Sequence, residues 1–557
     1  MATKYVFVTG GVVSGLGKGI TAAALGRLLK ARGLSVRNQK FDPYINVDPA
    51  LMSPLQHGEI FVTEDGAETD LDVGHYERFT DINLTGESDI TSGRVYLNVI
   101  NRERSGGYNG GTVQVVPHII NEIQDHIYQV SEDNTVDVVI SEIGGTVGDI
   151  EGLPFIEAIR QFSYEVGREN CLFIHVTLLP YVRTPGELKT KPTQHSVQRL
   201  LSSGIQPDIL VCRTEYPLDE GVRRKLALYC NVRIDSVFEN LDCESVYELP
   251  LRFEKAGFAK RICDRLNLPQ AEPDLSDWKM IVDKAKAPRR KINIALVGKY
   301  TVMQDAYYSL TEALEHAGIQ LGAEAVIDWI PSEDLENISP DEVDARLKEA
   351  DGVLVPGGFG SRGMEGMIAA SRSARERSIP FLGIGLGMQM GVVDIARELA
   401  GLIRAHSDES EKDDIQDVFY YADLSEEMIQ NIDSIPFCDR PMRRGSYPMI
   451  LDEGSILRSI YGKEQTAERH HHRREFNPAY AAAIASTGLR FSGMSPDGRL
   501  VEAIELPNHP FYVGLLAHPE FKSRPTRPHP VVLAFMKKAI EQKEIRLLQN
   551  KVDNRSE

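Results

Sequence analysis

Apolar residues in this chain gather into short strand-like runs at 5–8, 136–140, 172–178 and 208–211, separated by segments of helical period. Strands alternating with helices predict an α/β fold with a mostly parallel sheet. A second series starts at 292–297 with Ile292, Ile294, Leu296 and Val297. Between the two lies 274–291, polar, basic and interrupted by Pro288. The pattern therefore predicts two doubly wound parallel-sheet domains, 1–273 and 292–545, joined by 274–291 and followed by a polar tail, 546–557. The acidic stretch 406–423, around Phe419, Tyr420 and Tyr421, reads as a surface excursion.

Composition narrows the class. With 557 residues, 42% hydrophobic and 26% charged, the chain suits a soluble globular protein with more than one core. A formal charge of −19 argues against nucleic acid or an anionic membrane as a bulk partner. Six cysteines without CxxC or Cys/His spacing suggest neither disulfides nor zinc. The N-terminus enters a strand at once, and no run reaches membrane-spanning length, so a cytoplasmic location is expected.

After the first strand comes Thr9-Gly10-Gly11-Val12-Val13-Ser14-Gly15-Leu16-Gly17-Lys18-Gly19, opening a helix at Ile20. Glycines let backbone N–H groups wrap a phosphate at the helix N-terminus while Lys18 neutralises it. The strict P-loop pattern is not met. Val12 stands where its first Gly belongs, and Gly19 replaces the Ser or Thr that holds magnesium. Carboxylates elsewhere must then hold the metal, and Asp72 and Glu142 are candidates.

Three further polar runs lie at 40–48, 142–151 and 186–196. Together with the P-loop variant, they resemble the signature sequences of the CTP synthase family. The resemblance implies an amidoligase domain in which ATP phosphorylates O4 of UTP and ammonia displaces phosphate from C4. It implies catalytic roles for Lys18 and Lys40 at the ATP phosphates and the transferring group, and magnesium on Asp72 and Glu142. ATP contacts are expected at Ser14, Gly15, Leu16, Gly17, Lys18, Gly19, Ile20 and Asp72. UTP or CTP contacts are expected at Ser14, Asp149, Ile150, Glu151, Lys189, Thr190, Lys191, Gln194 and Lys225. A cytoplasmic homotetramer, with nucleotide sites formed between subunits, is the implied assembly.

The second half contains a strand, a Gly-flanked turn and a helix over 381–389, the layout of a nucleophile elbow. With His518-Pro519-Glu520 and the 355–360 turn around Gly358, it resembles a class I glutamine amidotransferase domain. Gln389 and Glu409 fall where that family contacts glutamine. A Cys is expected at 385, yet the residue is Gly385, and 383–389 holds no Cys, Ser or Thr. His471 replaces the arginine expected to pair with the glutamine carboxylate. The lid sequence associated with GTP activation is altered at 438–445, and the amidoligase loop that faces the ammonia route is altered at 103–110. The histidines at 470–472 do not read as a metal site, because adjacent ones point in different directions and no Cys or carboxylate pattern completes a set.

These departures lie on one path, from glutamine binding through hydrolysis to ammonia delivery. The expected function is an ATP- and UTP-dependent ligase that uses free ammonia or another small amine, with its glutaminase lost. The alternative is a non-catalytic, nucleotide-binding regulatory paralogue.

Overall fold

In the computed structural model, residues 2–13, 15–131, 135–184, 186–287, 289–410, 414–421 and 441–556 are described, with side chains to 548. They form two compact units, Met1–Pro49 with Thr69–Asp283, and Ala50–Glu68 with Lys284–Glu557. The passage 50–68 thus belongs with the second unit, although it lies deep in the first half of the sequence.

The first unit is built on a seven-stranded sheet in the order 237–241, 209–214, 171–178, 4–10, 138–143, 36–42, 89–91. All its pairings are parallel. Its central strand Lys4–Gly10 is buried throughout, as a strand covered by helices on both faces must be. Phe7 stacks on Phe173 and meets Phe162 edge-on across one such face. The chain leaves Lys4–Gly10 for the helix Lys18–Lys30, whose N-cap Gly17 has φ 83°.

The connection at 274–291 is largely ordered, with a helix over Ser276–Lys286 and a strand from Arg290. Trp278 is 1% exposed, and its indole N–H donates to the Tyr247 carbonyl at 2.7 Å, anchoring the helix to the first unit.

The second unit has a nine-stranded sheet, 323–331, 290–298, 352–355, 381–384, 512–515, 501–505, 490–494, 443–451, 465–472. The first five strands are parallel and the last four extend it antiparallel. The sheet is therefore mostly parallel, as the alternation of strands and helices predicts, with an antiparallel extension. Apolar side chains fill both faces, with Val355, Phe381 and Met388 on one and Leu354, Leu382 and Val513 on the other.

One expectation about a peripheral segment needs correction. The described parts of 406–423 are not a mere surface excursion: Ala405–Ser407 and Gln416–Tyr420 pair with Glu475–Phe476, and Val418 and Phe419 are fully buried. The adjacent apolar pair Val418 and Phe419 outweighs the acidic composition there. The tail after 546 continues a helix, Pro530–Ser556. Among the described residues, no helix is long and apolar enough to cross a membrane.

Candidate functional site

In the first unit, parallel register puts Glu142 beside Lys40, and Lys40 beside Asp89, at the ends of three neighbouring strands. This is the edge where open α/β sheets bind ligands. Asp72 reaches the same place from the first turn of Leu71–Thr80, a helix capped by Asp70, which accepts from Asp72 N–H at 2.9 Å. The Lys40 ammonium donates to Asp72 and lies 3.5 Å from Glu142, 3.7 Å from Asp42 and 3.7 Å from Asp70. Tyr76 donates its hydroxyl to the other oxygen of Glu142. Lys18 folds back to the Gly145 carbonyl at 2.8 Å.

Gly19 explains why Asp72 stands there. A Cβ at position 19 would collide with the Asp72 carboxylate, its Cγ 2.6 Å away. Asp72 therefore fills the space that the Ser or Thr of a strict P-loop would occupy.

Five buried or nearly buried carboxylates, Asp42, Asp70, Asp72, Asp89 and Glu142, face the ammonium groups of Lys40 and Lys18. Burial alone would raise Asp72, but the charges of Lys40 and His75 outweigh it and bring its carboxyl down to about 2. Burial and the neighbouring Asp70 push Asp89 up to about 7. Glu142 is raised by burial and by Asp72. Lys18 is lowered by burial, which makes its charge dependent on anionic neighbours. Asp42, Asp70, Asp89 and Tyr76 were not singled out from the sequence; Asp70, two residues before Asp72, carried an N-cap signal.

The predicted nucleotide residues are spread along the first unit. Gly15 and Gly17 adopt φ of 73° and 83°, Leu16 is buried, and Ile20 is half-buried in the helix. Ser14 lies outside the described residues. Asp149, Ile150, Glu151, Lys191 and Lys225 are exposed. Lys189 pairs with Glu187, and Gln194 donates to the Thr190 hydroxyl at 3.0 Å.

In the second unit, Gly385 caps the helix Leu386–Glu398 with φ 53° and ψ −115°. A side chain there is strained, so the elbow keeps a conformation that glycine adopts freely. A Cβ on it would stand 3.0 Å from His518 Nε2. On the ring's other side, Nδ1 bonds Glu520 at 2.8 Å. Base and orienter are thus assembled and aimed at a position with no side chain. Gly358 lies in the turn after Gly352–Val355, packed over Lys299, whose Nζ donates to the Phe359 carbonyl at 3.3 Å. Burial brings Lys299 down to about 8. Glu409 accepts from Gly360 N–H at 2.7 Å, and Gln389 is buried in the elbow helix.

His471 bonds Glu68 at 2.7 Å through Nε2, and Arg444 pairs with the same carboxylate. Burial lowers His471, against the opposing pull of Glu68. Burial raises Glu68, but its bonds to His471 and Arg444 outweigh this and hold it below the usual range. Glu68 was invisible to sequence reasoning, being 403 positions from its partner. His470 approaches Glu502 and His472 bonds Glu475, so the three histidines turn to three different carboxylates. Of the altered lid, Cys438, Asp439 and Arg440 lie outside the described residues, and Arg443 begins the strand Arg443–Leu451.

Family comparisons agree with this division. The family model for the CTP synthase N-terminus matches residues 4–268, and that for class I glutamine amidotransferases matches 302–538. A CTP synthase of Ruminiclostridium cellulolyticum is 56% identical over 98% of this chain and 100% of its own length. One from Caldanaerobacter subterraneus is 55% identical, covering 96% of this chain and 98% of its own. Among solved structures, the glutaminase domain of Trypanosoma brucei CTPS with bound acivicin is 35% identical, covering 45% of this chain and 94% of its own, with a TM-score of 0.41.

Proposed function

Because this chain belongs to the CTP synthase family, we propose that it is an ATP-dependent ligase that aminates UTP at C4 with free ammonia or a small amine, and not with glutamine. The observation that carries this reading is the contrast between its two sites. The Lys40 cluster holds a full set of charged groups, whereas His518 and Glu520 face Gly385, which has no nucleophilic atom.

Transfer of the ATP γ-phosphoryl group to O4 of UTP builds charge on oxygens along an in-line path. Fixed cations stabilise that charge without reorganising, and Lys18 and Lys40 are the groups in place to do it. Ammonia then adds to C4, and the bond to the O4 phosphate breaks; ATP, UTP and ammonia become ADP, phosphate and CTP. A substituted amine would give the N4-substituted product by the same steps.

Magnesium prefers one or two carboxylates plus phosphate oxygens and water. Asp72 and Glu142 flank the Lys40 ammonium, a place already suited to positive charge, and they would hold the ion. Among the described residues, no group of three or more His, Cys, Asp or Glu is arranged to hold a metal, so nucleotide oxygens would complete the set. When bound, magnesium supplies charge neutralisation at the phosphates. The exposed Asp149, Glu151, Lys191 and Lys225 would serve the pyrimidine nucleotide, in an assembly that family resemblance makes a tetramer.

Glutamine hydrolysis needs a thiolate to form the acyl-enzyme. His471, spent on Glu68, also offers no bidentate guanidinium fork to a glutamine carboxylate. The test is incubation with ATP, UTP, magnesium and ammonium. Phosphate release that depends on UTP supports the ligase, and none supports a non-catalytic nucleotide-binding paralogue.

A further inference from the structure

In the first unit a single imidazole, that of His175, ties together the two segments proposed to hold the nucleotides. His175 is on the strand Cys171–Leu178, in parallel register beside Thr9, and is fully buried. Its Nδ1 is 2.9 Å from Thr9 Oγ1 and its Nε2 is 2.8 Å from Ser196 Oγ. Thr9 donates its hydroxyl proton to the Ile174 carbonyl at 3.2 Å, so its oxygen accepts from Nδ1–H. Nε2 is then the ring's acceptor, and Ser196 donates to it. Burial, with the charge of Lys18 added, brings His175 down to about 3, so one neutral tautomer satisfies the whole chain of bonds.

The two hydroxyls belong to different parts. Thr9 is the next-to-last residue of Lys4–Gly10, the strand that feeds the phosphate loop. Ser196 is on the helix Lys191–Ser202, which opens with Lys191 and carries Gln194. One turn earlier on that helix, Thr193 bonds Thr177 Oγ1 and the Leu178 carbonyl, both at 3.1 Å, so the helix hangs from the strand of His175 at two points. Gly11 makes room for the bridge. A Cβ on it would collide with Ser196 Oγ and stand 3.2 Å from His175 Nε2, while its φ lies outside the left-handed region. Space, and not backbone conformation, therefore calls for glycine there.

A loop with glycines at 10, 11, 15, 17 and 19 has little stiffness of its own, and ordering it round a phosphate costs backbone entropy. A strut at its first turn removes part of that cost before a nucleotide arrives. An apolar side chain at 175 would fill the space without fixing a register, whereas hydrogen bonds on two sides of a rigid ring orient both neighbours.

From these contacts we infer that His175 is a positioning residue for both nucleotides, bridging the phosphate loop and the 189–194 segment through Thr9 and Ser196 so that each is held ready to bind. This role rests on the nucleotide sites proposed above for those two segments.

The test is calorimetric titration of the full chain with UTP and, separately, with β,γ-imido-ATP, each with magnesium, in wild type, His175→Phe, Ser196→Ala and the double variant. Each single variant is expected to weaken both nucleotides about tenfold, the scale of one buried hydrogen bond. The double variant should bind no more weakly than His175→Phe, because the two residues form one contact. With ammonium as nitrogen donor, KM for both nucleotides should rise while kcat stays within about threefold, the sign of lost uniform binding. A purely structural part would instead lower the melting temperature at unchanged affinity. Unchanged affinity for either nucleotide in both folded single variants overturns the inference, as does an additive double variant. Should His175→Phe not fold, Ser196→Ala and Gly11→Ala decide: the methyl added at 11 must displace Ser196 and weaken both nucleotides, and normal affinity in these two overturns the bridge. Ammonium-dependent turnover with normal nucleotide affinity in the variants removes the bridge and leaves the ligase reading intact. Nucleotide binding that weakens as expected, in a wild type without UTP-dependent phosphate release, removes the ligase reading and leaves the bridge. Wild-type protein that binds neither nucleotide overturns both.

Discussion

Gly19 and Asp72 share one space: a Cβ on the glycine would stand 2.6 Å from the carboxylate carbon of the aspartate. The departure from the P-loop pattern at 19 and the presence of an acid at 72 are thus one structural feature. Returning the P-loop hydroxyl with Gly19→Ser should drive Asp72 from Lys40 and lower UTP-dependent phosphate release by roughly 10²-fold or more, the scale of losing one preorganised charge contact. Steady-state assay at saturating ATP and ammonium checks it, and near-normal turnover would detach Asp72 from the site.

Asp72→Asn and Glu142→Gln should each reduce activity by roughly 10²–10³-fold with every nitrogen donor, because each removes a charge from the place proposed for magnesium. Lys18→Ala should act likewise. Measuring the same loss with ammonium and with methylamine separates a phosphoryl-transfer defect from a defect in donor handling.

Asp89 gives a pH signature. Its folded value of about 7 is raised above the ordinary carboxylate value of about 3.9, so its protonated form stabilises the fold at low pH and that stability is lost as pH rises through 7. Between roughly pH 4 and 7, Asp89→Asn should lose less stability than the wild type as pH increases. Urea unfolding of the metal-free protein across this window reads the difference directly. Parallel wild-type and variant curves would show that Asp89 titrates normally.

Gly385→Cys alone should not restore glutaminase activity. A Cβ there stands 3.0 Å from His518 Nε2 on a backbone with φ 53°, so the new side chain is strained and tight. Positioning of glutamine, worth roughly 7–11 kcal/mol in favourable cases, would also lack the arginine that the proposed reading expects at 471, where His471 is tied to Glu68. Glutamate release should remain at background in Gly385→Cys and be measured beside Gly385→Cys/His471→Arg, with and without GTP. Substantial hydrolysis by the single variant would make Gly385 an isolated lesion.

Much of this was legible in the chain. The apolar runs at 5–8 and 292–297 gave the central strand of one sheet and an interior strand of the other, because their burial leaves a nearly continuous apolar signal, and Gly385 and His518 sit in the elbow geometry their motifs implied. Partnerships set by tertiary packing were not legible. No local pattern announces that 50–68 folds with the second unit, or that Glu68 takes the bond His471 offers. Phe419 was misread because its acidic neighbours masked a strand whose apolar side chains point inward. Asp89 comes beside Lys40 only through the parallel register, whereas Asp42 lies two residues along the same strand.

The most direct test of the central claim compares nitrogen donors in purified protein freed of ammonia, with ATP, UTP and magnesium saturating. Ammonium should support formation of CTP at a rate that climbs with pH, since only the unprotonated amine attacks C4, while glutamine gives no CTP with or without GTP. Glutamine-supported CTP formation at a rate comparable with ammonium would contradict the account.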